Sequence, residues 1–400
     1  MDKKQTIKIV NPVSNVAFEL LRENYGALSL DEENPLSLVS ISSSSLSIDL
    51  WVGCPWQCVY CHVQGTVKNL DNKSKKMPNY TTLLTKHSIA SVIKALVKHP
   101  LFIPTETIIS IGTSCTEPFG SQKTIDEVVD VIREIQDNNC LENPIWIVTK
   151  AGIPKYFLDK IPTIISKSKA LILTPTSGGL SREFEPMQND RFLNIREAHE
   201  AGAKIVVYLR PLVLDWDSSP EKISKILETI RIKMRDTGPE AIVTGGLRWT
   251  SGIEYGLQLR NVPWPKSLKR LDDKKDIQDE LLQYAINKSS TTFPDTPVFL
   301  HSSCALSYLL NKPDICLSSS RKKESCLSSI CPKKQRDRCS LLFKKLDEKT
   351  LGVAKNKLKD LGISLSIQDL KDFVDSKLLT PDPIQEKVIE RTLTECVIMK

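Results

Sequence analysis

The chain has 400 residues, 55 Lys or Arg against 48 Asp or Glu for a formal charge of +7, and 40% hydrophobic with 26% charged residues. That balance is ordinary for a folded protein and excludes a disordered or fibrous chain, while the length predicts one large domain with a smaller appendage. No apolar run reaches the roughly 18 to 20 residues that span a bilayer, and residues 1–19 lack a basic patch followed by an apolar block, so a cytoplasmic protein without a membrane partner is expected.

Residues 1–44 show no clear period and are read as an N-terminal extension. From Leu46 onward, short β-branched runs alternate with amphipathic segments, which predicts strand-helix units and a parallel sheet. The expected strands are Leu46–Val52, Thr107–Ile111, Ile145–Val148, Ala170–Leu173, Lys204–Leu209, Ala241–Thr244 and Val298–Leu300. Between them, Ile125, Val128, Val129, Ile132 and Ile135 recur at helical spacing, as do Ile223, Ile226, Leu227 and Ile230. Asn189 or Asp190 is expected to cap a helix running through His199 and stopped by Gly202; Ser218 or Ser219 with Pro220 opens the next. The fold class expected is α/β: a partial or near-complete (βα) barrel over residues 45–303, then a cysteine-rich basic subdomain at 304–346 and a small helical tail at 347–400.

Eleven cysteines in a reducing compartment point to metal or redox chemistry rather than disulfides. They form an early trio (Cys54, Cys58, Cys61), a late group (Cys304, Cys316, Cys326, Cys331, Cys339) and the isolated Cys115, Cys140 and Cys396. The trio lies in Gly53-Cys54-Pro55-Trp56-Gln57-Cys58-Val59-Tyr60-Cys61, on the loop at the C-terminal end of the first barrel strand, which is the active face of a βα barrel. Three thiolates hold three irons of a [4Fe-4S] cube and leave the fourth open to another ligand. The competing use is a structural zinc with His62 or a distant residue as fourth ligand, although zinc motifs favour paired CxxC spacings.

CxxxCxxC in this place, with an aromatic just before the third cysteine, resembles the radical S-adenosylmethionine (SAM) superfamily over about residues 45–216. The resemblance implies that Cys54, Cys58 and Cys61 bind a [4Fe-4S] cluster, that SAM chelates its open iron through amino and carboxylate groups, and that Tyr60 contacts the adenine edge through its backbone. It also implies a reductant such as flavodoxin or ferredoxin as partner. The second strand runs into Gly112-Thr113-Ser114-Cys115-Thr116-Glu117-Pro118, where the superfamily places a small polar loop ending in an acid that receives the SAM amino group. Thr113, Ser114 and Glu117 are the candidates; Glu117 would instead be a solvated acid if this stretch only leads into a helix starting near Thr124.

The same loop is similar to that of spore photoproduct lyase and its relatives, in which a cysteine followed by threonine donates a hydrogen atom to the product radical. Cys115-Thr116 matches that pair, whereas Glu117-Pro118 departs from the lyase's serine and aspartate. The other reading of Cys115 is a small buried apolar residue. The third strand ends in Thr149-Lys150, as in lyase-like members, and Lys150 at the strand end is the candidate to reach the SAM ribose or carboxylate. Thr174, Thr176 and Ser177 end the fourth strand and are candidates for the ribose hydroxyls, and Arg210 ends the fifth and is the candidate partner of the methionine carboxylate, each against a purely structural turn.

The late cysteines are separated by 11, 9, 4 and 7 residues, which matches neither a paired zinc ribbon nor a known auxiliary-cluster pattern. An auxiliary iron-sulfur cluster or zinc is expected there, unless Cys304 and Cys316 are buried apolar positions around the helix Ala305–Leu310. Arg321–Lys345 carries nine Lys or Arg against Glu324 and Asp337, a local excess of +7. A nucleic acid or nucleotide is the expected partner for it, against a solvated surface loop; only Phe343 is available there to stack bases. Three readings follow: a radical SAM enzyme acting on nucleic acid or nucleotide, one acting on a peptide or small metabolite with an auxiliary cluster, and a non-catalytic metal-dependent nucleic-acid-binding protein.

Overall fold

The computed structural model describes residues 35–41, 44–61, 82–83, 87–99, 102–113, 116–177, 190–216, 218–249, 251–258, 261–270, 275–314, 330–361, 363–374, 388–389, 392–393 and 396. Its strands are β1 (Val39–Ile41), β2 (Leu46–Ile48), β3 (Trp51–Val52), β4 (Thr82–Leu83), β5 (Ile109–Ile111), β6 (Ile145–Thr149), β7 (Leu171–Ser177), β8 (Lys204–Leu209), β9 (Ala241–Thr244), β10 (Leu247–Arg248), β11 (Lys275–Asp276) and β12 (Val298–Phe299). Its α-helices are α1 (Ile89–Val97), α2 (Gln122–Arg133), α3 (Lys155–Leu158), α4 (Ile161–Lys167), α5 (Ile195–Glu200), α6 (Pro220–Lys233), α7 (Ser251–Gln258), α8 (Asp279–Thr292), α9 (Ser302–Leu309), α10 (Lys333–Lys345), α11 (Glu348–Asp360) and α12 (Ile367–Val374).

Eight strands form one sheet in the order β1-β2-β5-β6-β7-β8-β9-β12, parallel throughout except for β1, which pairs antiparallel with β2. All seven expected strands are present. The sheet stays open, with β1 and β12 as its two edges, so the closure of a near-complete barrel is not formed; an open, mostly parallel sheet is consistent with a partial barrel. No helix among the described residues is long and apolar enough to cross a membrane.

The strands read as nearly continuous apolar runs because both faces of the sheet are covered. On one face Ile48, Ile111, Ile147, Leu173, Val207 and Ile242 share a core with Val92, Val128, Ile132, Ile195, Leu227 and Ala285 from the helices. On the other, Trp146, Ile172, Val206, Tyr208, Val243 and Phe299 pack with Ala305, Leu306 and Leu309 of α9. The ends of α9 fix its direction. Lys204, at the start of β8, donates to the Leu309 carbonyl at 2.9 Å, and Arg210, just past the end of β8, donates to the Ser302 hydroxyl at 2.8 Å. This helix therefore runs antiparallel to β8 along the second face, with its N-terminus at the C-terminal edge of the sheet.

Three local outcomes differ from expectation. The run Leu46–Val52 splits into β2 and β3 at Asp49, a fully buried acid whose N–H donates to the Leu38 carbonyl at 2.9 Å and whose carboxylate accepts from Ser47 at 2.8 Å and from Ser40. Serving those donors takes the backbone off the sheet and releases β3 to pair with β4. The extension contributes the edge strand β1. The helix expected from residue 189 or 190 begins only at Ile195, because residues 190–194 form a turn that docks on Gly152 and Ile153, with Ile153 N–H donating to Leu193 at 3.0 Å and Asn194 at φ 60°.

The start of α6 follows its sequence signal: Ser219 accepts from Lys222 N–H and Pro220 occupies the first turn, while Ile223, Leu227 and Ile230 are buried. Ser219→Ala is expected to lower stability by about 1 kcal/mol, read as a lower urea midpoint at unchanged slope.

Candidate functional site

The early trio sits on the loop after β3, at the edge of the sheet where the parallel strands end. Gly53 enters the loop at φ 85°, a conformation that side-chain-bearing residues rarely adopt, and Gln57 turns within it at φ 47°. Gln57 Nε2 donates to the Cys54 carbonyl at 2.6 Å and Cys61 N–H to the Cys58 carbonyl at 3.1 Å, so the turn is self-bonded. Trp51, fully buried, anchors its base by donating its indole N–H to Glu127 of α2. Cys58 is buried and Cys54 and Cys61 half-buried, and none of the three is in a disulfide.

Two other strand ends are wired to this loop. Lys150, just past β6, places its ammonium 3.1 Å from Cys58 Sγ, against the Tyr60 hydroxyl and 4.2 Å from the Tyr60 ring centroid. Glu117, from the loop after β5, is only 5% exposed and accepts from the Thr149 hydroxyl at 2.5 Å, Lys150 N–H at 2.7 Å and Phe119 N–H at 3.3 Å. Burial pushes its carboxyl above the usual carboxylate range, against those three donors and the nearby Lys150 charge. The trio is similarly coupled: burial pushes the Cys54 thiol far up, and the charges of Cys61, Glu117 and Cys58 push it the same way.

Gathering three thiolates and an acid in one buried place is unfavourable without a cation, and a metal-bound thiol is held deprotonated. The donor set thus fits a thiophilic metal group. Lys150 at Cys58 and the buried Trp56 indole N–H, which has no acceptor among the described residues, add donors suited to an anionic, sulfide-bearing cluster. A single zinc ion needs its sulfurs converged to about 2.3 Å from one point. Among the described residues no three His, Cys, Asp or Glu converge in that way. A cube of four irons takes one thiolate per iron, so three thiolates would hold three irons and leave the fourth open.

The remaining expected residues divide. Thr113 is held by Ser47 at 2.8 Å and Ser110 at 3.0 Å, bracing its loop against β2. Ser114 and Cys115 lie outside the described residues. Lys150 lies against Cys58 and Tyr60, and Thr149 bonds Glu117 beside it. Thr174 is fully buried and accepts the Trp146 indole N–H at 2.8 Å, which commits it to packing. Ser177 is buried and its carbonyl receives Arg210 N–H at 3.2 Å. Arg210 stacks over the Tyr208 ring, 3.9 Å from its centroid, and reaches α9 rather than the trio.

Of the late group, Cys304, Cys331 and Cys339 are described; Cys316 and Cys326, with the rest of residues 315–329, lie outside the described residues. Asp314, a buried acid that composition and spacing did not single out, gathers them: its carboxylate accepts from Ser303 at 3.0 Å and Cys304 Sγ at 2.8 Å, and its N–H donates to Cys339 Sγ at 3.4 Å. Gln335 adds a donor to Cys339 at 3.4 Å. Burial, with the charges of Asp314 and Cys331, pushes the Cys339 thiol up to about 11. The described members do not by themselves form a metal site, and no chemical step is assigned to them.

No protein-family model matches the chain, and no curated protein matches it.

Proposed function

We propose that this chain is a radical SAM enzyme that reductively cleaves SAM and takes a hydrogen atom from a substrate of the nucleic-acid or nucleotide class. The observation that carries the reading is the joining of three strand ends at one point: Cys54, Cys58 and Cys61 on the loop after β3, Glu117 after β5 and Lys150 after β6. When bound, the cluster and SAM supply an electron and a sulfonium whose C–S bond breaks to methionine and a 5′-deoxyadenosyl radical.

The protein's own groups have separate tasks in that reading. The three thiolates hold the cluster. Lys150, beside Cys58, would neutralise the methionine carboxylate, and its bond to the Tyr60 hydroxyl steadies the residue whose backbone would contact the adenine edge. Glu117 spends three of roughly four acceptor positions on Thr149, Lys150 and Phe119 and keeps one for the SAM amino group. Burial of the site excludes water from a reactive radical. The late cysteines are proposed as a second metal site, zinc or an auxiliary cluster, with ligands drawn partly from residues 315–329.

The test is anaerobic reconstitution with iron and sulfide, then dithionite and SAM, with 5′-deoxyadenosine measured; its absence from a cluster-loaded sample defeats the proposal. Lys150→Met is expected to weaken SAM affinity by about tenfold or more, the scale of one lost charge-assisted hydrogen bond in a buried site. Equilibrium dialysis with labelled SAM reads this directly, and unchanged affinity would remove Lys150 from the pocket.

A further inference from the structure

Past the end of β8 lies a second concentration of positive charge that the SAM pocket does not use. Arg210 is stacked on Tyr208 and donates to the neutral Ser302 hydroxyl; among the described residues no carboxylate pairs with it. Arg248, on β10 just beyond the end of β9, is near enough to disfavour the Arg210 charge, in addition to the effect of burial. Arg191 reaches the neighbouring strand end and donates to the Thr176 carbonyl at 3.3 Å. The N-terminus of α9 is at the same place, since Ser302 is its first residue, and the side chain of His301 does not cap it. The first turn of α9 already holds the buried Asp314 carboxylate against Ser303 and Cys304, which offsets the helix dipole there and leaves the arginines as the source of positive potential.

Two neighbouring buried hydroxyls on the sheet, those of Thr176 and Tyr208, are without a hydrogen-bond partner among the described residues. Thr176 is 7% exposed, and its hydroxyl makes no hydrogen bond among the described residues. Thr176 is the register partner of Tyr208 in the adjacent parallel strand, so their side chains share a face, the face on which Arg210 lies. A buried hydroxyl without an acceptor or donor is costly unless a ligand completes it.

The methionine carboxylate is a poor occupant for this place. In the reading above it is tied to the cluster iron and lies by Lys150, at the end of β6. Arg210 is two strands further along the sheet, about 10 Å away at the usual inter-strand spacing. We propose that Arg210 and Thr176, with Arg248 at the rim, form an oxyanion subsite that holds a phosphate or carboxylate of the substrate beside the SAM pocket. The proposal rests on the radical SAM reading for calling the ligand a substrate, but the subsite itself does not depend on it. Arg210 then orients the anion through its planar fork, Arg248 draws it in from the rim, and Thr176 donates the last hydrogen bond.

The experiment is calorimetric titration of the full-length, cluster-reconstituted protein with inorganic phosphate and, separately, acetate, with SAM affinity measured on the same samples. The wild type is expected to bind one of the two saturably; the tighter one identifies the oxyanion. Arg210→Met should weaken that binding by about tenfold or more and Thr176→Val by roughly three- to tenfold, as expected for a charged and a neutral hydrogen bond. Thr176→Val removes only an unpartnered hydroxyl and decides the matter if Arg210→Met does not fold. Absence of saturable binding, equal affinities across the variants, or a loss of SAM affinity in Arg210→Met as large as the loss of phosphate affinity overturns the proposal. Oxyanion binding by a sample that makes no 5′-deoxyadenosine supports the subsite and counts against the radical reading alone; the converse result sinks the subsite alone.

Discussion

On the proposed radical SAM reading, alanine at Cys54, Cys58 or Cys61 is expected to cut 5′-deoxyadenosine formation to background, a loss of at least about three orders of magnitude, because the electron donor would be removed rather than weakened. The three positions should be equivalent in activity but not in the iron they retain. Cys58 is the most buried and faces Lys150, so its loss leaves an ammonium in a closed site without its sulfur partner. Cys54 and Cys61 are half-buried and leave space that solvent can fill. Iron and sulfide counts on the triple alanine variant carry a second result. Iron or zinc that persists there belongs to the late group around Asp314, whereas a metal-free triple variant removes that site from the molecule. Wild-type levels of SAM cleavage in any single variant would refute the cluster assignment, since each thiolate serves its own iron.

Most of the sheet was legible because a parallel strand covered on both faces must be apolar on both, and such runs are short, β-branched and hard to mistake. Ile145–Thr149, Lys204–Leu209 and Ala241–Thr244 have this character and stand where expected. What escaped depended on single polar contacts between distant segments. Nothing local in Leu46–Val52 announces that Asp49 will be buried and served by Ser40, Ser47 and the Leu38 carbonyl, which is what splits the run. Likewise Asn189 and Asp190 look like helix caps, but the turn after them is used to grip Gly152 and Ile153.

The candidate site divides on the same principle. Its cysteines were legible as a spacing, and Lys150 and Glu117 as strand-end positions, because chemistry-bearing residues at the C-terminal ends of parallel strands converge in any such fold. Their pairing was not: that Lys150 meets Cys58 while its own N–H holds Glu117 follows from packing across residues 58, 117 and 150. Arg210 shows the limit most clearly. A strand-end arginine next to the proposed SAM pocket suggests a carboxylate partner, yet its direction is set by Tyr208 and by the return of α9 down the second face, neither of which its own neighbours in sequence reveal.

Glu117 supplies the second large effect. Its carboxylate receives three hydrogen bonds from the β5 and β6 loops, so Glu117→Ala strands the Lys150 and Phe119 N–H groups in a buried place, at about 1 to 3 kcal/mol each, while the Thr149 hydroxyl turns to the Ala151 carbonyl at 3.0 Å. A loss on the order of 3 kcal/mol or more is expected, with SAM binding lost alongside it. Glu117→Gln separates the two roles. The amide oxygen can still accept from Thr149 and Phe119, but the amide nitrogen then faces Lys150 N–H, donor against donor, so one bond is lost and the loop ends part. The pH dependence has a definite sign. Burial raises the Glu117 carboxyl in the folded state, so between the ordinary carboxylate range and the raised midpoint the folded protein holds a proton that the unfolded chain has released. Stability contributed by that proton is full below the unfolded value and is lost as pH rises through the folded one. Glutamine has no such proton, and the stability gap between wild type and Glu117→Gln should narrow as pH rises through this window. Urea unfolding of both proteins across the acid range measures the gap, and a gap that widens with pH would mean that the carboxylate is stabilised as the anion, with its three donors outweighing its burial.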